Sequence, residues 1–262
     1  MIVKNTTGRL AGSLHVLRAL VARDLKLRFT GSALGFAWTI LQPLLTVLCY
    51  WFVFTVIFKR SSDASEQWYV PFLISGLLTW MGFADGITRG TSTLIENGPM
   101  IRKLTFRSDV LVIVPNITAV IFELIGFGLF IIYMLARGSA IGMLWLLPFA
   151  IVLQVAIQVG LGWILSVLNV FFRDVTQVVG FALSLGLFLS PVFYRIRGDA
   201  ELEKWFQWNP MTPLLGLFRS ALTGSPLPEA RSVVFLLVVA AGLFFVGLRF
   251  FRRAQPTLAD LL

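Results

Sequence analysis

The stretch LGFAWTILQPLL, Leu34 to Leu45, opens an uncharged run from Ala33 to Phe58 that follows directly on a basic segment. A hydrocarbon core of about 30 Å takes roughly 20 apolar residues to cross as a helix, so the run is long enough to span a membrane. Gly35, Trp38, Gln42 and Pro43 interrupt it where aliphatic side chains would be expected. Gly35 permits a turn into the span and Pro43 is a candidate kink. Gln42 is a polar group that needs a partner or a wet path.

The rest of the chain agrees that the solvent is lipid. Its 262 residues are 57% hydrophobic and 13% charged, with mean hydropathy +0.85. Soluble domains carry about 25% charged residues, and a water-soluble fold could not bury the apolar excess. The net charge of +9 does not point to nucleic acid, which calls for a basic stripe on one face. Here the aromatics lie inside apolar runs and the basic residues between them, so anionic lipid headgroups are the expected partner. Cys49 and His15 are each single, which leaves no metal framework within one chain.

Six apolar stretches emerge: 33–58, 70–88, 110–136, 142–172, 175–194 and 232–251. Asp85 interrupts the second and Glu123 the third. Before them, residues 1–32 lack the apolar core of a secretory signal. Their Leu10, Leu14, Leu17, Val21 and Leu25 recur at three- and four-residue steps, one stripe of a helix. Such a helix suits the membrane interface, and Arg28, falling on the stripe, should end or bend it. With the N-terminus inside, connections on that side hold fourteen Lys and Arg against eight outside. That excess places both termini in the cytoplasm of a plasma (inner) membrane, multi-pass protein.

Residues 195–231 read as short re-entrant helices at the outer face. Pro210 and Pro213 chop their apolar pieces too short to cross, and such broken segments line protein or a cavity. The fold class expected is therefore an all-α membrane protein of six transmembrane helices. An N-terminal amphipathic interfacial helix precedes them, and short re-entrant outer-face helices precede the last span. The membrane unit covers 33–254 and a cytoplasmic tail 255–262.

No P-loop motif occurs, and no catalytic or metal site is expected. Asp85 is four residues from Arg89, the spacing of a pair along one helix face. Glu123, mid-span, has no partner nearby in sequence; a charge at that depth is costly and faces protein or water. The inner connection 90–109, GTSTLIENGPMIRKLTFRSD, mixes apolar Leu94, Ile95, Met100 and Ile101 with charges, as a short helix offered to a partner protein would. Gly180, Ser184 and Gly186 form a small-residue contact surface.

Four stretches in order, LGFAWTILQPLL, LIENGPMIRKLTF, NVFFRDV and SPVFY…WNPMTPLLGLFRSAL, carry a family likeness. The chain resembles the membrane subunit of ABC-2 type exporters, in particular polysaccharide-export permeases of the O-antigen and teichoic-acid kind. The resemblance runs from about Leu14 to Arg253. It implies a homodimer with two copies of a separate nucleotide-binding ATPase. ATP and Mg would then sit on that partner and no cofactor on this chain. It also implies a lipid-linked polysaccharide substrate, moved along a path at the dimer interface lined by the first and fifth spans. Carried over, the path residues are Trp38, Gln42, Tyr50 and Phe54 with Phe181, Phe188 and Tyr194; Trp38 either anchors the interface or faces sugar. The ATPase-coupling residues are Leu94, Glu96, Asn97, Arg102 and Lys103, with Arg173 and Asp174 in the second inner turn. The family commonly has Pro where this chain has Arg107, so the resemblance fixes the end of the coupling helix only to within a few residues. Export of a lipid or drug by the same fold is one alternative, and an ion-coupled secondary transporter using Asp85 and Glu123 another. The lack of an internal repeat counts against the second.

Overall fold

A computed structural model describes residues 4–28, 30–57, 68–103, 108–195 and 200–261, and every regular element among them is helical. The N-terminal helix α1 covers Lys4–Leu27. It stops one residue before Arg28, where the stripe would otherwise carry a guanidinium into apolar contact. Val16, Leu17, Leu20, Val21 and Leu25 are half-buried on its inner face; the side chains of Leu10 and Leu14 lie outside the described residues. A turn of 3₁₀-helix, Gly35–Ala37, leads into α2, Trp38–Trp51. This helix continues as a π-helical segment, Phe52–Ile57.

The bundle core is made by α3 (Tyr69–Glu96), α5 (Asp109–Ala136), α6 (Leu146–Phe171) and α10 (Ala230–Leu261). Between α3 and α5 lies the short α4, Gly98–Lys103. After α6 come α7 (Val175–Leu189), α8 (Ala200–Gln207) and α9 (Met211–Thr223). One end of the bundle carries α1 and α4, the other α8 and α9.

Close approach is built from glycine. A Cβ on Gly160 of α6 would stand 2.5 Å from the backbone of Leu243 on α10, and one on Gly247 of α10 would overlap the Gly160 carbonyl, so the two axes come together because Gly160 and Gly247 offer no side chain there. At the α1 end, Leu94, Ile101, Leu111, Val112, Trp163, Phe251 and Leu258 form one buried cluster. The C-terminal residues expected as a tail are thus the last turns of α10, and Leu258 is packed into the core.

Several expected boundaries move. The second span does not end at Thr88; α3 runs on to Glu96, so 90–96 of the expected inner connection is span helix and only α4 is separate. Residues 142–145 are a turn before α6, not span, and the Met143 amide donates to the Ser220 carbonyl of α9 at 3.1 Å. Among the described residues, five helices are long and apolar enough to cross a membrane: 35–54, 69–96, 109–136, 146–171 and 230–258. The expected fifth span is the shorter α7. Its 15 residues rise about 22 Å, less than a hydrocarbon core of about 30 Å. It ends because Ser190 precedes Pro191, which forces extended backbone on it; its φ and ψ are −101° and 148°.

After α8 the chain returns to the bundle as α9, which packs against α3 and α6. Leu214, Leu215, Phe218, Ala221 and Leu222 of α9 are fully buried, and Gly224 at φ +67° closes its C-terminus in the left-handed conformation. This is packing inside the bundle.

Candidate functional site

Two regions gather polar or aromatic side chains from several elements. The first is a pocket of about 80 Å³ near the α1 end, lined by Arg28, Trp38, Thr39, Gln42, Asp85 and Glu123 among others. Arg28 leaves the end of α1 and places both guanidinium nitrogens on Asp85 of α3, at 2.8 and 3.1 Å. Its planar face lies 4.2 Å from the centroid of Phe122, a cation–π arrangement. One turn away, Arg89 donates to both oxygens of Asp24 at 2.7 Å and to the Thr118 hydroxyl at 3.2 Å. The expected pair of Asp85 with Arg89 along α3 is therefore replaced by two crossed pairs between helices. Asp24 on α1 and Arg28 just past its end are four apart, as Asp85 and Arg89 are on α3, so the two faces exchange partners. Crossed pairing ties α1 to the bundle, which a pair within α3 could not do.

Deeper in the pocket wall, Glu123 is buried and accepts a hydrogen bond from Gln154 Nε2 of α6 at 2.5 Å. It approaches α3 over Gly82, where a Cβ would overlap the carboxylate. One turn along, Gln158 Nε2 donates to the Gly82 and Phe83 carbonyls at 2.9 and 3.2 Å. Next comes Asn116, whose Nδ2 donates to the Val112 carbonyl at 2.7 Å. These amides were not singled out from sequence. The signal was present, since an amide within an apolar span must find a partner.

The second region is an aromatic cluster at the α9 end. Tyr50 of α2 and Phe54 of the π-helical segment that continues it stack on Phe193, with ring centroids 5.0 and 4.9 Å away, and Phe188 of α7 approaches the same ring at 5.5 Å. The Tyr194 hydroxyl donates to the Phe188 carbonyl at 2.7 Å. The broken backbone after α7 is satisfied by side chains from other elements. Asn209 Nδ2 donates to the Leu189 carbonyl at 3.2 Å, Arg219 to Val192 at 2.9 Å and the Tyr69 hydroxyl to Phe193 at 3.1 Å. Arg219 itself is buried over Phe72, 3.4 Å from the ring centroid.

The residues expected along a substrate path thus fall into two groups. Trp38 and Gln42 line the polar pocket; Tyr50, Phe54, Phe188 and Tyr194 meet around Phe193. Phe181 joins neither and is 67% exposed on α7. Of the small residues expected at a helix contact, Gly180 faces open space while Gly186 packs on Trp80.

At the α1 end, the expected coupling residues divide as well. Leu94 has no exposed surface: it points into the core from the last turn of α3. Glu96 is exposed and accepts from the Ser92 hydroxyl at 2.6 Å. Asn97 Nδ2 caps the α3 end through the Thr93 carbonyl at 2.9 Å. Arg102 and Lys103 end α4; their side chains, and Leu104 to Arg107 entirely, lie outside the described residues. Arg173 and Asp174 are exposed in the turn between α6 and α7. Ile101 of α4 is buried in the same cluster as Leu94, so α4 rests directly on the bundle core.

The family model for ABC-2 type transporters matches residues 15–223. The chain is 30% identical over 253 residues to the O-antigen export system permease protein RfbA of Myxococcus xanthus, covering 94% of both chains. It is 26% identical to a protein of the same name from Klebsiella pneumoniae, over 94% of this chain and 95% of that one. It is 22% identical to the polysialic acid transport protein KpsM of Escherichia coli, over 92% of this chain and 94% of the other. The chain belongs to the ABC-2 type transporter family.

Proposed function

From that membership we propose that this chain is the permease subunit of an ATP-driven exporter of a lipid-linked polysaccharide. Similarity to O-antigen export permeases along nearly the whole length of both chains is the observation that carries the reading. The chain acts without a nucleotide site of its own. ATP and Mg are bound by a separate ATPase, two copies of which dock on a homodimer of this subunit. Both termini lie in the cytoplasm of the plasma membrane, and the glycan passes along the dimer interface.

The arrangement of side chains suits this work. A sugar chain that must slide needs shallow contacts, with C–H faces on rings and hydroxyls on scattered polar groups. The rings of α2 and α7 around Phe193 supply such a surface at one end, and Trp38 with Gln42 supply it at the other. The ATPase docks on α4 and on the Arg173–Asp174 turn. Because Ile101 anchors α4 in the core cluster, a push on α4 reaches α3, α5, α6 and α10 as one body. Arg28 and Asp85 neutralise each other, which favours this reading over ion coupling through Asp85.

The test is reconstitution with the ATPase that co-purifies. Glycan should enter the vesicle lumen only with ATP, and reversing the charges of Arg102 and Lys103 should leave ATP hydrolysis running without export. Transport that persists with no ATPase present, or normal export by the doubly reversed variant, would overturn it.

A further inference from the structure

The seam between α3, α5 and α6 has a consistent imbalance. Among the described residues, four buried oxygens along it lack a hydrogen-bond partner: Asn116 Oδ1, Glu123 Oε1, Gln154 Oε1 and Gln158 Oε1. All four are acceptors. The three amide groups cannot be turned round to relieve this. Each already commits its nitrogen to an acceptor: Asn116 to a backbone carbonyl, Gln158 to two, and Gln154 to the carboxylate of Glu123. The seam is therefore short of donors, and a buried acceptor left bare is destabilising.

Glu123 is the one member that can change from acceptor to donor. As a carboxylate it would need a cation or several N–H groups, because an isolated buried charge is far costlier than a buried neutral group. Its surroundings do not supply these. From α6 it receives one amide N–H. On α3 it faces Gly82, and the other acid lining the pocket, Asp85, offers no N–H and is paired with Arg28. On α2 the pocket offers Trp38, Thr39 and Gln42. Arg28, the cation of the pocket, gives both terminal nitrogens to Asp85.

We propose that Glu123 is a proton-binding site: the folded subunit carries it as a neutral carboxylic acid paired with the side-chain amide of Gln154. The proton comes from solvent and resides on Oε1, which then donates to Gln154 Oε1. That atom is bonded to the same amide carbon whose nitrogen already donates to Glu123 Oε2. One proton thus satisfies two of the four orphans and closes an acid–amide ring between α5 and α6. It also leaves the pocket wall beside Trp38 and Gln42 without net charge, since Arg28 and Asp85 cancel. The inference holds whatever the transported molecule is.

The experiment is carbon-13 labelling of glutamate δ-carbons in the full-length chain, reconstituted in lipid and examined by solid-state NMR at neutral pH. The exposed glutamates should give carboxylate resonances, and one resonance should sit at the position of a neutral acid. That resonance should be lost in Glu123→Gln and should shift in Gln154→Leu. Infrared spectra of the unsubstituted protein supply a second readout: a protonated-carboxyl C=O band that persists across the neutral range. A spectrum in which every glutamate is a carboxylate at neutral pH overturns the proposal. So does a neutral-acid resonance that survives Glu123→Gln. Neither readout depends on transport, so their failure is distinct from failure of the export assay.

Discussion

Exchanging or removing the charges that join α1 to α3 tests whether the N-terminal helix is held by chemistry or by position alone. The perturbation is the set Arg28→Ala, Asp85→Ala and both together. Arg28 and Asp85 retain 20% and 27% of their side-chain exposure, so the pair is neither buried nor free. Exposed pairs contribute about 0–1 kcal/mol, and breaking a fully buried one costs about 3–5 kcal/mol. Two charge-assisted bonds in partial contact with water lie between, and a coupling of about 1.5–2 kcal/mol follows. A coupling of 1.4 kcal/mol is a tenfold change in an equilibrium. Amides of residues 16–27 should therefore exchange with deuterium about tenfold faster in either single variant. The double variant should add little more, and Arg28→Asp with Asp85→Arg should recover much of the protection. The same cycle on thermal unfolding in detergent gives the coupling directly. A coupling below about 0.3 kcal/mol, with α1 exchange unchanged, would refute the view that these pairs hold α1.

Leu94→Ala should lower stability by about 2–5 kcal/mol, as for other buried leucines, while leaving ATPase affinity intact in the folded fraction; a melt and a pull-down separate the two effects. Gly160→Ala places a methyl 2.5 Å from the Leu243 backbone and should cost about 1–3 kcal/mol through overpacking, seen as a lower melting temperature. Phe193→Ala should speed hydrogen exchange in residues 47–57 without changing that of α6; equal speeding in both would remove Phe193 as the local anchor of α2.

The sequence made some of this legible for reasons that can be named. The end of α1 was predictable because Arg28 falls on an apolar stripe, and the need of Asp85 for a cation because it sits in a span. The choice of cation was not: Arg89 satisfies the i,i+4 spacing, and only the return of α1 across α3 brings Arg28 within reach instead. Glu123 was visible as an oddity, yet Gln154 is thirty-one positions away and no local pattern joins them. The expected fifth span overran because its composition stays apolar through Tyr194 while its backbone breaks at Ser190. Hydropathy measures the side chains there, and Pro191 acts on the backbone. The burial of Leu94 follows from the continuation of α3 past Thr88, which the polar residues 88–97 conceal.

Cohesion is uneven across the bundle, and the difference has a physical origin. In the most apolar window of each span, 72% of α3 is buried and 56% of α6, against 6% for the span built on α2. Lipid tails are as apolar as leucine, so α2 gains nothing merely from touching the bundle and must be held by specific contacts. Along its middle, Leu44, Val47 and Leu48 line a cavity of about 450 Å³ together with Ile74, Leu78 and Phe130, and Val47 also packs on the core cluster. What remains at the α9 end is the stacking of Tyr50 and Phe54 on Phe193. Two such ring contacts contribute roughly 1–3 kcal/mol together. A difference of that size corresponds to about a five- to 150-fold bias between two arrangements. A partner that prefers α2 detached by that factor or more can reverse it. The α3–α5–α6–α10 core, locked by glycine contacts and the amide seam, would not follow. Any motion that opens a path beside α2 is therefore resisted chiefly at Phe193, while the core stays fixed against it.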